Sequence, residues 1–215
     1  MKYKGFIFDL DGVICSTDEY HYQAWQALAD KLEVPFDRER NNLLRGVGRM
    51  DCIEIILERS DKQYTAEEKA VFAAEKNDHY RQLLKNMSPA DLSDEVKGTL
   101  ETLRKIGLKM AIGSSSKNAP FILEWIGLSG FFDAVSDGNS ISHSKPHPEV
   151  FLKAAEKIGL DPSVCLVIED AHSGVEAAIR GGFDCAAMGD AKDDERAVRH
   201  LDHFSDLLRI TEEAG

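Results

Sequence analysis

The sequence has no apolar run near the ~20 residues that are needed to cross a bilayer. Its opening segment, MKYKGFIFDLDG, becomes acidic before the apolar core of a secretion signal could form. We therefore expect a cytoplasmic protein with no membrane partner. Positive charge is also scarce, because 26 lysines and arginines stand against 38 aspartates and glutamates, a net charge of −12. No basic stripe overrides that charge, so we expect no nucleic-acid partner.

Cysteine is sparse as well, and the chain has no CxxC pair and no neighbouring Cys/His set. This absence suggests neither a disulfide scaffold nor a zinc site. The four cysteines, which we interpret as reduced thiols, are Cys15, Cys52, Cys165 and Cys185. The 215 residues are 43% hydrophobic and 30% charged, which excludes a disordered or fibrous chain and is enough for one α/β domain with a modest insertion.

The order of hydrophobic patterns predicts a doubly wound parallel sheet with an inserted helical unit. An apolar strand at 4–8 is followed by helical periodicity from 16 to 87, with no strand signal between. Helices and strands then alternate, at 94–105, 108–112, 119–126, 134–136, 148–158, 164–168, 173–180 and 185–188. Such alternation is typical of an α/β fold with a parallel sheet. The predicted core is 1–15 and 88–215, and the predicted helical cap is 16–87.

Polar residues follow the predicted strands, at the carboxyl edge where doubly wound sheets bind their ligands. Asp9 and Asp11 lie at i and i+2 after the first strand, so an extended backbone directs both to one side. Two unit charges ~4 Å apart repel by ~4 kcal/mol at an effective dielectric of ~20. A cluster of these aspartates with Glu169 and Asp170 therefore needs a cation, and oxygen ligands without His or Cys favour Mg²⁺. With Lys145 as a fixed positive charge, the set predicts a phosphoryl-transfer site.

Each of these residues also has a simpler interpretation when it is taken alone. A DxD after a strand can cap a turn, three serines can form a polar loop, and a lone lysine is usually at the surface. The KDDER run at 192–196 is interpreted as a solvated surface segment. The ordered combination is more specific than any member: an apolar strand with DxDG, a second with GSSS, then SKPxP, then a strand with ED.

That ordered set resembles the haloacid dehalogenase superfamily over the whole chain, with FDLDGV at 8–13, Ser114, Lys145, and the pair Glu169 and Asp170. The resemblance implies that Asp9 is a nucleophile that becomes a transient aspartyl phosphate, and that Asp11 is the general acid and base. It implies Mg²⁺ held by Asp9, the Asp11 carbonyl, Glu169 and Asp170. Ser114 and Lys145 would hold the transferring phosphoryl group.

Several segments resemble the β-phosphoglucomutase branch of that superfamily: STDEYHYQAW at 16–25, RGVGRMD at 45–51, KND at 76–78, SPAD at 88–91 and SSSKN at 114–118. The resemblance places Thr17 and His21 near the hinge and the site. The residues that it assigns to the sugar phosphate are Gly46, Val47, Arg49, Lys76, Ser115, Ser116, Lys117 and Asn118. Arginine's planar fork and a loop that opens a helix both suit phosphate.

The activity implied by this resemblance is the interconversion of β-D-glucose 1-phosphate and D-glucose 6-phosphate, with β-glucose 1,6-bisphosphate as the bound intermediate. A Mg²⁺-dependent sugar-phosphate phosphatase on the same fold is the alternative, since water could accept the same phosphoryl group. A non-enzymatic phospho-acceptor domain is a third possibility, although it needs neither the helical insertion nor a second aspartate. The expected partners are small sugar phosphates, and we expect a monomer.

Overall fold

A computed structural model of the chain describes residues 2–44 and 47–212. The chain divides into two compact units. Unit 1 consists of Met1–Ser16 and Met87–Gly215, and unit 2 is Thr17–Asn86. Among the described residues, no helix combines the length and the apolar character that a membrane span requires.

Unit 1 contains a parallel sheet that has six strands within the described residues. The strands are β1 Gly5–Phe8, β2 Lys109–Gly113, β3 Ala134–Ser136, β4 Cys165–Glu169, β5 Asp184–Ala187 and β6 Arg199–His200. Their order across the sheet is β3-β2-β1-β4-β5-β6. The strand order reverses direction at β1, where a doubly wound sheet has its switch point. The predicted α/β, doubly wound parallel sheet is confirmed.

Helices occupy both units. In chain order they are α1 Asp18–Leu32, α2 Arg38–Asn42, α3 Arg49–Leu57, α4 Ala66–Leu84, α5 Asp94–Lys105, α6 Ala119–Trp125, α7 Glu149–Ile158, α8 His172–Arg180 and α9 Leu207–Glu212. Short 3₁₀ helices lie at Pro89–Asp91, Pro162–Val164, Gly189–Ala191 and Phe204–Asp206. The first four α-helices lie in unit 2, and the others lie in unit 1 with the sheet.

The sheet is buried on both faces, which explains the continuous apolar character of its central strands. On one face, Ile7 of β1 packs in a cluster with Phe151 of α7 and Val175 of α8. On the other face, the Phe8 ring lies 6.1 Å from the Phe132 ring and 5.7 Å from the Phe204 ring, measured between centroids. Alternate residues of β1 therefore belong to different layers of the core.

Unit 2 has its own core and its own helix-start signals. Buried residues of α1 and α3, among them Trp25, Leu28 and Ile53, form one hydrophobic cluster. Helix α4 begins with a capping box, in which Thr65 accepts the backbone N–H of Glu68 and the Glu68 carboxylate accepts that of Thr65. This reciprocal pair satisfies two amides at the helix start and explains why the long α4 begins where it does.

Strand register brings the predicted site residues to one edge of the sheet. Phe8 is paired with Ile112 on one side and with Ile168 on the other. Residues that follow these three positions therefore emerge at the same carboxyl edge, although they come from widely separated parts of the chain. They include Asp9 and Glu169.

Candidate active site

Asp9 lies immediately after β1, and its backbone anchors it to the neighbouring strand. The Asp9 N–H donates to the Ile168 carbonyl at 2.9 Å, which continues the ladder by one residue. The chain then turns, and the Ile14 N–H donates to the Leu10 carbonyl at 3.0 Å. Asp9 is buried, whereas Asp11 in the turn is half-buried. The two carboxyl groups thus belong to one rigid strand-to-turn segment.

Lys145 joins the ends of two central strands. Its ammonium group donates to Asp9 Oδ1 and also to Glu169 Oε1, the latter at 2.5 Å. The side chain of Lys145 is 2% exposed, and those of Asp9 and Glu169 are 10% and 1% exposed. One buried cation is therefore shared by two buried carboxylates, and the structure brings together three of the residues that the motifs predicted.

The Glu169 carboxylate is held on both of its oxygens. Oε2 accepts the backbone N–H groups of Asp170 and Ala171, each at 2.9 Å, while Oε1 accepts Lys145. Gly174 of α8 leaves room for this carboxylate, because a Cβ at that position would lie 1.8 Å from Oε1. The turn after β4 is therefore fixed by packing against a helix as well as by hydrogen bonds.

A second glycine brings the two acidic turns together. Gly12 has φ of +90°, and a Cβ there would lie 2.0 Å from Asp170 Oδ2. A residue with a side chain would be strained at this φ and would also push Asp170 away. The glycine of the DLDG segment therefore lets the turn after β1 approach the turn after β4.

Charge in this site exceeds what one lysine can balance. Burial raises the pKa of Asp9 to about 7, with a further increase from Glu169 and a decrease from Lys145. Burial likewise raises the pKa of Asp170 to about 9, and the neighbouring Glu169 adds to it. For Lys145, burial lowers the pKa, but the carboxylates of Asp9 and Glu169 outweigh burial and raise it overall. The site favours a further proton or a further cation.

These residues fit a divalent hard cation by the chemistry of their donors, which are carboxylate and carbonyl oxygens. In the described part of the chain, the carboxylates of this site do not form a trio whose ligand oxygens all lie within 4.8 Å of one another. A bound ion would take few side-chain ligands and complete its shell with water or phosphate oxygens, as Mg²⁺ does. Glu169 as a direct ligand of such an ion stays a prediction.

The serine-rich loop after β2 is organised by its own hydroxyl groups. Ser114 Oγ accepts the N–H of Ser116, and Ser116 Oγ accepts the N–H of Asn118, each at 3.2 Å. Ser114 and Asn118 are buried, while Lys117 is exposed. Ser115 Oγ is buried and has no hydrogen-bond partner among the described residues. The loop therefore holds one buried hydroxyl without a hydrogen-bond partner in the ranges that the structure describes, in a segment predicted to bind phosphate.

Three more predicted residues, Thr17, His21 and Lys76, lie in one cluster inside unit 2. Lys76 Nζ lies 2.8 Å from His21 Nδ1, and also 4.3 Å from the centroid of the Trp25 ring. The Tyr80 hydroxyl donates to Thr17 Oγ1 at 2.9 Å. Burial lowers the pKa of His21 well below 6.5, and the charge of Lys76 lowers it further. Because an ammonium group can only donate, Lys76 donates a hydrogen bond to the unprotonated Nδ1 of His21.

The loop that precedes α3 is described from Val47 onward. Gly46, which was predicted to bind the sugar phosphate, lies outside the described residues, and Val47 is half-buried. Arg49 is the first residue of α3, and its Nη2 donates to Asn77 Oδ1 at 2.7 Å. Asn77 was not predicted as a site residue, although it is the middle residue of the KND segment.

The interpretation of 192–196 as solvated is wrong for Asp194, which is buried. Its Oδ2 lies 2.8 Å from His172 Nδ1 and accepts Arg196 Nη2 at 2.6 Å. Ala191, the residue just before this segment, contacts the acidic turn, because its N–H donates to the Asp170 carbonyl at 2.8 Å. A charge run can therefore contain a buried residue, and composition alone does not reveal which.

Comparison with known protein families agrees with this arrangement. A model of the haloacid dehalogenase-like hydrolases matches residues 3–182. The chain belongs to this haloacid dehalogenase-like hydrolase family. The match spans β1, the helical unit, β2, β3, β4 and α8, so it includes every predicted site residue of unit 1.

Individual relatives within the haloacid dehalogenase-like family include both mutases and phosphatases. The chain is 37% identical over 188 residues to a β-phosphoglucomutase of Bacillus subtilis (strain 168), covering 86% of this chain and 83% of the relative. It is 32% identical over 184 residues to the fructose-1-phosphate phosphatase YqaB of Escherichia coli (strain K12), covering 85% and 95%. The family is thus established, and two activities are represented among its similar members.

A solved structure of the same family shows the same fold. The crystal structure of β-phosphoglucomutase (pgmB) from Clostridium difficile superposes with a TM-score of 0.91 at 34% sequence identity. The similarity covers 98% of this chain and 96% of that one. The fold is therefore shared over essentially the full length of both proteins.

Proposed function

We propose that the protein is a β-phosphoglucomutase, which interconverts β-D-glucose 1-phosphate and D-glucose 6-phosphate through an aspartyl phosphate and a bound β-glucose 1,6-bisphosphate. The observation that carries the phosphoryl chemistry is Asp9, a buried carboxylate at the switch point of the sheet and in contact with the Lys145 ammonium. The similarity to β-phosphoglucomutases over most of the chain supports this choice of substrate.

In the proposed reaction, a carboxylate oxygen of Asp9 attacks the phosphorus atom of the bisphosphate, and the bond from phosphorus to the sugar oxygen breaks. Asp11 gives its proton to that departing oxygen. In the reverse half, a sugar hydroxyl attacks the phosphorus of the aspartyl phosphate and Asp11 takes its proton. The bisphosphate turns after it has formed and before Asp9 attacks it, so that each of its phosphate groups can in turn face Asp9.

The charges around Asp9 are suited to this transfer. When bound at Asp9, Asp170 and the Asp11 carbonyl, Mg²⁺ would neutralise the oxygens of the transferring group. Lys145 keeps a positive charge at Asp9 throughout, because Glu169 holds it from the other side. Ser114, buried at the end of β2, is proposed to donate its hydroxyl to the same phosphoryl group.

Two further groups of residues are proposed to bind the rest of the substrate. In unit 1 they are the loop residues Ser115, Ser116, Lys117 and Asn118, where the Ser115 hydroxyl lacks a partner within the described chain. In unit 2 they are Thr17, His21, Gly46, Val47, Arg49 and Lys76. Arginine and lysine side chains in the second group suit the non-transferring phosphate and the sugar hydroxyls.

A sugar-phosphate phosphatase is the second candidate, supported by the similarity to the fructose-1-phosphate phosphatase of Escherichia coli. The two activities share Asp9 and Asp11 and differ in the acceptor, which is a sugar hydroxyl in one case and water in the other. A mutase must also hold a substrate with two phosphates, so it needs a second anion-binding group besides Lys145.

The deciding experiment follows both products in one reaction. The purified protein is incubated with β-glucose 1-phosphate, Mg²⁺ and a trace of the bisphosphate, and glucose 6-phosphate and inorganic phosphate are measured in parallel. A mutase forms glucose 6-phosphate with little free phosphate, whereas a phosphatase releases phosphate in step with substrate loss. Asp9→Asn should abolish either activity, and the α anomer of the substrate serves as the specificity control.

Arg49 provides a test of the second anion-binding group. Arg49→Ala should impair turnover of the sugar phosphate much more than transfer from a small phosphate donor such as acetyl phosphate, because only the former has a distal phosphate. An equal loss with both donors would contradict the role proposed for Arg49.

A further inference from the structure

A second group of potential ligands lies in unit 1, on the segment that carries Lys145. His143, His147 and Glu149 each offer one ligand atom, and these three atoms all lie within 4.8 Å of one another. Both histidines are exposed and Glu149 is half-buried. The absence of neighbouring cysteines and histidines did not indicate this set, because its third member is a carboxylate.

The backbone of this segment accounts for the proximity of the two imidazoles. The His147 N–H donates to the Ser144 carbonyl at 3.0 Å, which turns the chain between the two histidines. The ring centroids of His143 and His147 are consequently 4.6 Å apart, with 36° between the ring planes. Both rings therefore lie on the same side of the turn.

The carboxylate is fixed in place before any ion binds. Glu149 Oε2 accepts the backbone N–H of His143 at 2.9 Å, and Lys153 contacts Oε1 at 2.7 Å. The Ser142 N–H donates to both oxygens, at 3.1 and 3.0 Å. Such outer contacts orient a ligating carboxylate, and Lys153 is on the oxygen away from His143.

The spacing of one pair of ligand atoms, which is also a hydrogen bond, matches that of a tetrahedral ion. Two ligands at ~2.05 Å from Zn²⁺ and at the tetrahedral angle lie about 3.3 Å apart. His143 Nδ1 and Glu149 Oε2 are 3.3 Å apart. His147 Nδ1 accepts the Glu149 N–H at 3.3 Å, so an ion bound at this nitrogen would replace that hydrogen bond.

We propose that His143, His147 and Glu149 bind a borderline divalent transition-metal ion, with Zn²⁺ as the ion they fit best. Two imidazoles and one carboxylate favour Zn²⁺ over Mg²⁺, which prefers oxygen ligands throughout. Three protein ligands leave one position for water. The site is separate from the carboxylates around Asp9 and does not depend on the function proposed above.

Occupancy of this site would act on Lys145 through the chain. His143 and His147 stand on either side of Lys145 in the sequence, and a metal ion that joins them closes the segment into a loop. Ligand binding to the folded state alone raises the temperature of unfolding. Zn²⁺ should therefore raise the unfolding temperature of the protein and restrict the segment that holds Lys145 in place.

The test is a calorimetric titration of the whole chain with Zn²⁺ in the presence of excess Mg²⁺. We expect one equivalent to bind. His143→Ala and His147→Ala should each weaken binding by about tenfold or more. The matched control is the double variant His200→Ala/His203→Ala, which removes two other exposed histidines and should bind as the unaltered protein does.

Three results would overturn the proposal. One is unchanged Zn²⁺ affinity in His143→Ala and His147→Ala, and another is an equal loss of affinity in the His200→Ala/His203→Ala control. The third is loss of Zn²⁺ binding in Asp170→Asn, which would place the ion among the catalytic carboxylates instead. Because the His143 side chain is 68% exposed, its replacement should leave folding intact, which circular dichroism checks. His143→Asn provides a second variant of similar size.

Discussion

Substitution of Gly174 by alanine tests how the site is built, since its effect should be opposite to that of the same change elsewhere. Alanine normally stabilises an exposed helix position relative to glycine by about 0.5–1 kcal/mol. Gly98 in α5 is such a position, because a Cβ there would meet no atom within 4 Å. A Cβ at Gly174 in α8 would lie 1.8 Å from Glu169 Oε1.

The magnitude follows from the contacts that Glu169 would lose. Its carboxylate accepts Lys145 and the backbone N–H groups of Asp170 and Ala171, and a hydrogen bond to a charged group contributes about 1.5–3 kcal/mol. If two of the three are lost, Gly174→Ala should lower the free energy of unfolding by about 2–5 kcal/mol after the helix gain is subtracted. Gly98→Ala should raise it by about 0.5–1 kcal/mol.

Both variants are compared by urea denaturation and by turnover. Gly174→Ala should also reduce turnover by about 100-fold, because Lys145 is no longer held at Asp9 by its second carboxylate. Gly98→Ala should keep full activity. The reasoning fails if the two variants unfold at the same urea concentration, or if Gly174→Ala is destabilised but turns over normally.

Three further outcomes are expected. Lys145→Met leaves Asp9 and Glu169 buried without their shared cation, so it should lower the free energy of unfolding by about 3–5 kcal/mol. An unchanged urea midpoint would contradict the inference that the Lys145 ammonium group neutralises these two carboxylates. With divalent ions chelated, the free energy of unfolding should fall as pH rises from 5 to 9. Folding raises the pKa of Asp9 from 3.8 to about 7 and that of Asp170 from 3.8 to about 9, so the folded state binds more protons than the unfolded state over this range. Added Mg²⁺ should remove this trend in denaturation curves. Burial lowers the pKa of His21 well below 6.5, so the stability that this residue contributes should be fully present above pH 6.5 and should decrease as pH falls below it. In the same denaturation measurement, His21→Asn should reduce this pH dependence by up to about 1.4 kcal/mol per pH unit.

The fold was predictable where burial and hydrogen bonding coincide. Strand β4, with the sequence CLVIE, is buried throughout, and its apolar run indicates its position to within one residue. Strand β6 was missed, because Arg199 and His200 are both exposed and so short a strand has no alternation to detect. The predicted strand at 108–112 ends one residue early, since Gly113 pairs with Ser136 through its backbone and has no side chain to signal it.

The site was predictable in its chemistry more than in its connections. Spacing of the motifs placed Asp9, Lys145 and Glu169 at one edge of the sheet, where the structure has them. The Lys145 ammonium group donates to both carboxylates because of the path of the β3–α7 connection. No local sequence pattern encodes that path. The same holds for Gly174, whose role arises only when α8 packs against the end of β4.

The pairing of β1 with β4 has a consequence for how the protein is made. Phe8 leaves the ribosome long before its partner Ile168, because α1 to α7 and two strands lie between them in the chain. Until then, Asp9 at the end of β1 lacks the strand and the acidic turn beside it. Contacts so distant in the chain form late and slowly. A nascent chain arrested before β4 should therefore be devoid of turnover, even with its helical unit complete.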